Sequence, residues 1–285
     1  MDPTLAAAAG EQLGSAVRTA RRVSGGDVAT AYRLELDDER TVFAKTLVSA
    51  PPGFFTTEAI GLSWLREAGA VAVPEVLAVA DDPPLLVLEW IEEGRPGPTT
   101  DVEFGRALAS LHASGAPSFG REDRRPTGSL SMSNEPAGSW AELYAERRLR
   151  PLAAVAESRD SLPDRSVARL RAVADRLDDL VSPPEPPARL HGDLWGGNRL
   201  VDREGRSWLI DPAAFGGHRE YDLAMMLLFG GFGRECVEAY DDAWPLAAGW
   251  EERVPVHQLG PLVVHAIKFG GSYIGAVDRV LSLYT

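Results

Sequence analysis

Three stretches near the start of the chain mix apolar with polar positions and carry β-branched or aromatic side chains: 20–24, 30–36 and 40–47. Such stretches, set between short Gly- and Asp-rich breaks, predict strands. Gly25-Gly26-Asp27 separates the first two, and Asp37-Asp38-Glu39 predicts a hairpin turn between the second and third. After Pro51-Pro52-Gly53 the spacing is that of a helix, from about 56 to 68, with Ile60, Trp64 and Leu65 as its apolar face. Two more strands follow at 76–80 and 85–91. The polar, Gly/Pro-rich run 92–98 then interrupts the pattern and predicts a linker. Beyond it the chain reads as helical: 102–112, with Phe104, Leu108 and Leu111 on one face, then 140–152, 166–181 and the apolar run 223–229. Residues 115–138 are rich in Gly, Ser, Pro and Asn and long for a structureless connection, which predicts a mobile or substrate-facing loop. The expected fold is α+β and two-lobed, with a small antiparallel sheet and one main helix in 1–91 and a larger helical lobe in 92–285.

Composition narrows the classes of function. With 45% hydrophobic and 25% charged residues over 285 positions, the chain can bury a sizeable core. A net charge of −13 leaves no basic patch for nucleic acid. No apolar stretch reaches the eighteen or so residues of a membrane span, and no basic-then-apolar leader opens the chain. The expectation is a soluble cytoplasmic protein without nucleic-acid or membrane partners. Cys236 is the single cysteine, so no internal disulfide can form, and its helical context favours core packing over chemistry. Of the 29 basic residues only Lys45 and Lys268 are lysines. Lysine is a compact point charge where arginine is a broad planar fork, so Lys45, near the end of the third strand, draws attention.

The densest chemistry lies in His191-Gly-Asp-Leu-Trp-Gly-Gly-Asn198 and in Ile210-Asp211-Pro212. The spacing H-x-D-x-x-x-x-N, followed by an aspartate closing a short strand, is that of a kinase catalytic loop and its metal ligand. Phosphoryl transfer needs a positioned nucleophile and neutralised charge more than covalent help. Asp193 is thus the candidate base, Asn198 and Asp211 offer the hard oxygens Mg²⁺ prefers, and His191 orients the loop. Upstream, Lys45 is placed to hold the α and β phosphates of ATP, with Glu58 as its ion-pair partner. Backbone amides at Gly25 and Gly26 are candidates for the phosphates, although a pair of glycines is also an ordinary hairpin. Backbone groups of Glu89, Trp90 and Ile91, at the end of the fifth strand, are expected to read the adenine edge. A five-stranded sheet with one helix after the third strand resembles the small lobe of protein-kinase-like folds. Unlike protein kinases, the chain has Pro212-Ala213 after Asp211 and only nine residues before Tyr221, so no activation segment fits and a small alcohol is the expected acceptor.

HGDLWGGN at 191–198 and IDPAAFGGHREYDLAMMLLFGGF at 210–232 resemble the fructosamine kinase (ketosamine-3-kinase) family, relatives of the aminoglycoside and choline phosphotransferases. GGD at 25–27 with Ala31-Tyr32, FAK at 43–45 and EAIGLSWL at 58–65 also match, so the resemblance covers most of the chain. It implies ATP-dependent phosphorylation of the sugar 3-hydroxyl of a ketosamine, an adduct of a sugar with an amine, and thereby a role in removing glycation from proteins. Trp195, two residues past the candidate base, is expected to pack on the sugar or its amine. His218 and Arg219 are expected substrate contacts, with an ion pair to Glu220 or Asp222 as the alternative for Arg219. Asp222 fits a helix cap or a brace for the catalytic loop, and Met225 and Met226 read as core. Two other functions stay open: phosphorylation of an aminoglycoside or metabolite alcohol, and a catalytically silent nucleotide binder.

Overall fold

The computed structural model describes residues 1–23 and 29–284. The chain forms two compact units: Met1–Thr100 with Asn198–Pro212, and Asp101–Gly197 with Ala213–Thr285.

In the first unit, helix α1 (Pro3–Leu13) precedes strands β1 (Val17–Val23), β2 (Thr30–Leu36) and β3 (Thr41–Thr46), helix α2 (Phe54–Glu67), and strands β4 (Val76–Asp81) and β5 (Pro84–Glu89). The strands form one antiparallel sheet in the order β1-β2-β3-β5-β4. Helix α1, not anticipated above, is an alanine run with high intrinsic helix propensity. Asp2 caps it by accepting from the Thr4 amide at 2.8 Å, and Gly14 ends it at φ 67°. Ala9 of α1 packs with Leu34, Leu36, Val42, Ala44, Leu85 and Val87 on one face of the sheet.

Helix α2 lies after the third strand, as expected, and of its expected apolar face Leu65 is buried and Trp64 half-buried, while Ile60 is not. Phe55, Ala59, Leu62 and Leu65 point inward and Ile60 is exposed. The buried set repeats at three and four residues, and Ile60 falls one step, about 100°, off that stripe. Gly25 and Gly26 lie outside the described residues.

The boundary also differs from the expected 1–91 and 92–285. The linker is stitched to a hairpin made by Arg199–Val201 and Ser207–Leu209. The Gly94 amide donates to Val201 O at 2.8 Å, Thr100 Oγ1 donates to Gly205 O at 2.7 Å, and the Leu209 amide donates to Ala72 O at 2.9 Å. A Cβ on Gly94 would sit 2.3 Å from Asp202 O, so only glycine permits this approach. Residues through Thr100 and 198–212 therefore belong to the first unit. The spacing of polar and apolar residues does not reveal such bonds between distant segments.

The second unit is helical. Helix α3 (Thr100–Ala113) leads into it, followed by α4 (Trp140–Tyr144), a π turn (Ala145–Leu149), α5 (Arg150–Ser158), α6 (Asp164–Ala174), α7 (Leu177–Leu180), α8 (Glu220–Phe229), α9 (Arg234–Ala243), α10 (Trp250–Phe269) and α11 (Ser272–Leu281). The π turn has a local cause: Pro151 has no N–H for the carbonyl four residues back, and Arg148 Nη1 donates to that Arg147 oxygen at 3.0 Å. Helix α10 carries Pro255 and Pro261 internally. Pro261 orphans His257 O, which accepts instead from the Tyr144 hydroxyl at 2.8 Å, while the Gly260 amide donates to the same hydroxyl at 2.8 Å. One buried phenol thus repairs a proline break inside the core, among Trp140, Leu149, Leu152, Phe215, Tyr221, Leu259 and Val263.

Residues 115–138, expected to be mobile or substrate-facing, are fixed by bonds, which goes against the first of those two readings. Gly120 and Gly216 exchange amide bonds at 2.8 Å, the Arg121 amide donates to Asn134 O, and Thr127 pairs with Met132. Arg148 clamps the far side through Ser133 O and Asn134 Oδ1. Among the described residues, no helix is long and apolar enough to cross a membrane.

Candidate active site

In the first unit, register decides what meets. Lys45 lies on β3 opposite Ala31 of β2 and Leu86 of β5, so its stem is enclosed and the residue is 7% exposed. Its ammonium donates to Glu58 Oε1, one turn into α2, at 2.8 Å, and to Asp211 Oδ1. Asp211 leaves the hairpin at φ 53°, a left-handed conformation uncommon outside glycine and enriched for aspartate. Asn198 stands at the foot of the same hairpin: Arg199 pairs with Leu209, and the next rung is the Ile210 amide donating to Asn198 O at 3.1 Å. A neutral amide and a carboxylate are thereby carried at one end of a single hairpin, with a lysine held by two carboxylates beside the second of them.

Burial is the largest influence on both Lys45 and Glu58, pushing the ammonium down and the carboxyl up. For Lys45 the facing carboxylates of Glu58 and Asp211 outweigh it, so its pKa is raised. Glu58, which also faces Asp211, stays above its ordinary value despite Lys45.

Trp90 and Ile91 follow the last residue of β5 as irregular backbone. The Trp90 indole N–H donates to Glu92 Oε1 at 3.0 Å, Arg33 covers its ring at 5.4 Å, and Ile91 is buried. Glu89 remains in the sheet and its carboxylate accepts from the Glu75 amide at 3.1 Å.

In the second unit, the loop bearing Asp193 is held from beneath by Asp222 on the first turn of α8. The His191 amide donates to Asp222 Oδ2 at 2.7 Å and the Gly192 amide to Oδ1 at 2.9 Å. His112 of α3 lies 3.3 Å from the same carboxylate and 2.9 Å from the Tyr240 hydroxyl. Of the two roles open for Asp222, the brace is the one present. The Asp193 amide in turn donates to His191 Nδ1 at 3.3 Å, so the fully buried imidazole sets the backbone at Asp193. Gly192 is at φ 81°, and a Cβ there would lie 2.5 Å from Ala213 O. Only glycine satisfies both conditions.

Trp195 is 40% exposed and meets Phe229 edge to face at 6.4 Å. Its indole lies flat over Gly197, where a Cβ would come within 2.3 Å of the ring. Gly196 and Gly231 touch backbone to backbone, and a Cβ on Gly231 would meet Gly196 Cα at 2.4 Å. The paired glycines of GGN and FGGF are thus one packing device. The repeated Gly-Gly was the available signal, and the sequence reading left it unused.

His218 and Arg219 do not suit the substrate roles expected of them. His218 is 1% exposed, accepts from the Glu220 amide at 3.3 Å through Nδ1, and stacks on His257 at 5.4 Å. Burial first, and then His257, pushes its pKa down to about 3. Arg219 spends its fork on Glu185, at 2.8 and 2.9 Å, and on the carbonyls of Trp244 and Pro245, with its guanidinium 3.9 Å over Trp244. The alternative ion pairs with Glu220 or Asp222 are not formed either. Glu220 belongs to Arg253, which donates to both its oxygens at 2.9 and 2.6 Å. His218, Glu220 and His257 form a buried cluster whose carboxylate is already taken by a guanidinium. This is a brace between α8 and α10. Met225, Met226 and Cys236 are buried, consistent with packing.

The fructosamine kinase family profile matches residues 1–284. The chain belongs to the fructosamine kinase family. A probable ketoamine kinase of Enterococcus faecium is 36% identical over 260 residues, spanning 91% of this chain and 92% of its own. The solved structure of a Thermobifida fusca protein assigned as a fructosamine-3-kinase superposes at a TM-score of 0.91, with 40% identity and complete coverage of both chains. A type I macrolide 2′-phosphotransferase shares the fold alone, at a TM-score of 0.62 and 18% identity over 96% of this chain and 94% of its own. This fructosamine kinase family member is accordingly a protein-kinase-like enzyme that transfers a phosphoryl group from ATP.

Proposed function

We propose that the enzyme phosphorylates the 3-hydroxyl of ketosamine sugars, in the cytoplasm, as a step in removing glycation. The observation that carries the chemistry is Lys45, buried and held by Glu58 beside Asp211. An ammonium fixed in this way is ready for the α and β phosphates of ATP, because exchanging a carboxylate for a phosphate oxygen costs it no new burial. Backbone groups at Glu89–Ile91 would take the adenine edge.

The donor set of Asn198 and Asp211 suits a hard cation: one amide oxygen and one carboxylate at the end of one hairpin, with no sulfur or imidazole among them. These two residues would hold Mg²⁺, which when bound neutralises charge on the transferred phosphate. Asp193 accepts the proton of the attacking hydroxyl, its backbone set by His191 and Asp222. Trp195 offers its exposed face to the apolar side of the sugar.

The ketosamine assignment follows from family membership and from the names of the two relatives. It is tested by phosphate transfer from ATP to ribuloselysine, erythruloselysine and fructoselysine, read by ³¹P NMR, with Asp193→Asn alongside. A new sugar-phosphate signal is expected with the wild type. The variant should retain ATP binding and lose about 10²–10⁴ in turnover. Transfer to an aminoglycoside or metabolite alcohol instead of any ketosamine would overturn the substrate, and near-normal turnover by Asp193→Asn would overturn the base.

A further inference from the structure

Lys268 is the lysine that the chemistry above does not use. It is exposed in the last turn of α10, and among the described residues its ammonium is in no ion pair; it lies 5.2 Å from the Phe269 ring centroid. In a chain of net charge −13 whose other basic residues, apart from Lys45, are all arginine, an exposed cation without a carboxylate partner stands out.

Its surroundings connect it to Trp195. Trp195 packs on Phe229, Phe229 lies 4.6 Å from the His265 ring, and His265 lies 5.5 Å from Phe269 and 5.0 Å from Tyr273. Every step of this track lies within the second unit. Its two ends, Trp195 at 40% and Phe269 at 56%, are the exposed tryptophan and phenylalanine among the described residues. One end is thus two residues from the candidate base and the other carries a cation.

A ketosamine has a matching form. From its sugar runs an amine, then, for lysine adducts, an apolar four-carbon stem, then the α-carbon with its carboxylate. We propose that the aromatic track from Trp195 to Phe269 is an aminoacyl subsite: the rings take the stem of the amine-bearing half, and Lys268 pairs with the α-carboxylate. On this assignment the enzyme prefers ketosamines of free amino acids, or of lysine at a chain end, over adducts inside a polypeptide, where the carboxylate is an amide. The inference rests on the ketosamine reading above.

The test compares fructoselysine or ribuloselysine, whichever wild type turns over, with its C-terminal amide. Each is assayed with wild type, Lys268→Gln, Lys268→Glu and Phe269→Ala. Wild type should favour the free carboxylate by about fivefold in kcat/KM, the scale of an exposed ion pair. Lys268→Gln should erase that preference through KM with kcat unchanged, leave the amide as it was, and Lys268→Glu should reverse the preference. Phe269→Ala should raise KM for both lysine adducts but not for the methylamine adduct, which has no stem. Equal turnover of acid and amide by wild type, or equal effects of Lys268→Gln on both, overturns the subsite while leaving the kinase assignment intact. If wild type phosphorylates no ketosamine, the substrate reading fails and the subsite falls with it.

Discussion

Acid should unfold the second unit through one buried pair of imidazoles. His218 and His257 stack at 5.4 Å, both at most 1% exposed, with Glu220, Arg253 and Arg219 as the charged groups around them. Burial lowers both pKa values, that of His218 to about 3. In the unfolded chain a histidine titrates near 6.5. Below that pH the unfolded state holds a proton that folded His218 refuses, so stability falls as pH drops from about 6.5 toward 3, by up to ~1.4 kcal/mol per unit. Between pH 7 and pH 5 the loss from His218 is about 2 kcal/mol, and His257 adds in the same direction. Glu220, held near 2, remains charged throughout that window, so its own contribution is lost only at pH below its unfolded value of 4.5. The measurement is urea denaturation at pH 7, 6 and 5, with His218→Asn alongside. The asparagine Oδ1 replaces Nδ1 as acceptor for the Glu220 amide but does not titrate. Wild type should lose about 2 kcal/mol more than the variant over this range. Parallel pH dependences, within about 0.5 kcal/mol, would refute the reasoning, since the neutral imidazole would then not be the group resisting protonation.

Three further outcomes are expected. Gly197→Ala should drive the Trp195 indole off its seat, raising KM for the sugar while ATP binding is kept; this is read by steady-state kinetics and tryptophan fluorescence. Tyr144→Phe removes both the donor to His257 O and the acceptor of the Gly260 amide, and should cost about 2–4 kcal/mol in denaturant unfolding, two buried backbone groups being left unpaired. Lys45→Arg keeps the charge but puts a wide fork where Glu58 and Asp211 enclose a point donor, so ATP turnover should fall by at least about tenfold at saturating sugar in a coupled kinase assay.

The small sheet was legible because β-branched and aromatic content and turn residues are local, and β2, β3 and β5 fall within a residue or two of their expected places. Lys45 and Glu58 were legible as a pair because strand and helix order fix which side chains converge. Less visible was everything that depends on partners far along the chain. Helix α10 contains Pro261 in its interior, which by local rules breaks a helix; the distant Tyr144, which takes up the carbonyl Pro261 leaves unpaired, is invisible to those rules. His218 and Arg219 stand seven and eight residues past Asp211, and that proximity suggested the substrate cleft. Yet Glu185, Trp244 and Arg253, the residues that claim this segment, come from elsewhere in the sequence. The loop 115–138 has a composition that signals mobility, but a composition cannot show Arg148 or Gly216 meeting it.

The hairpin 198–212 gives the fold a particular order of assembly. Because the first unit takes in this late segment, the chain passes from one unit to the other at residues 100, 197 and 212, three times in all. During synthesis, the first hundred residues emerge without the strand pair that bonds Ala72, Gly94 and Thr100, and without Asn198 and Asp211. Long-range pairings of this kind form late. A gene cut at the 92–98 linker would therefore yield a fragment lacking part of its own fold. A split enzyme should instead be divided on the far side of Pro212, where the first unit is complete.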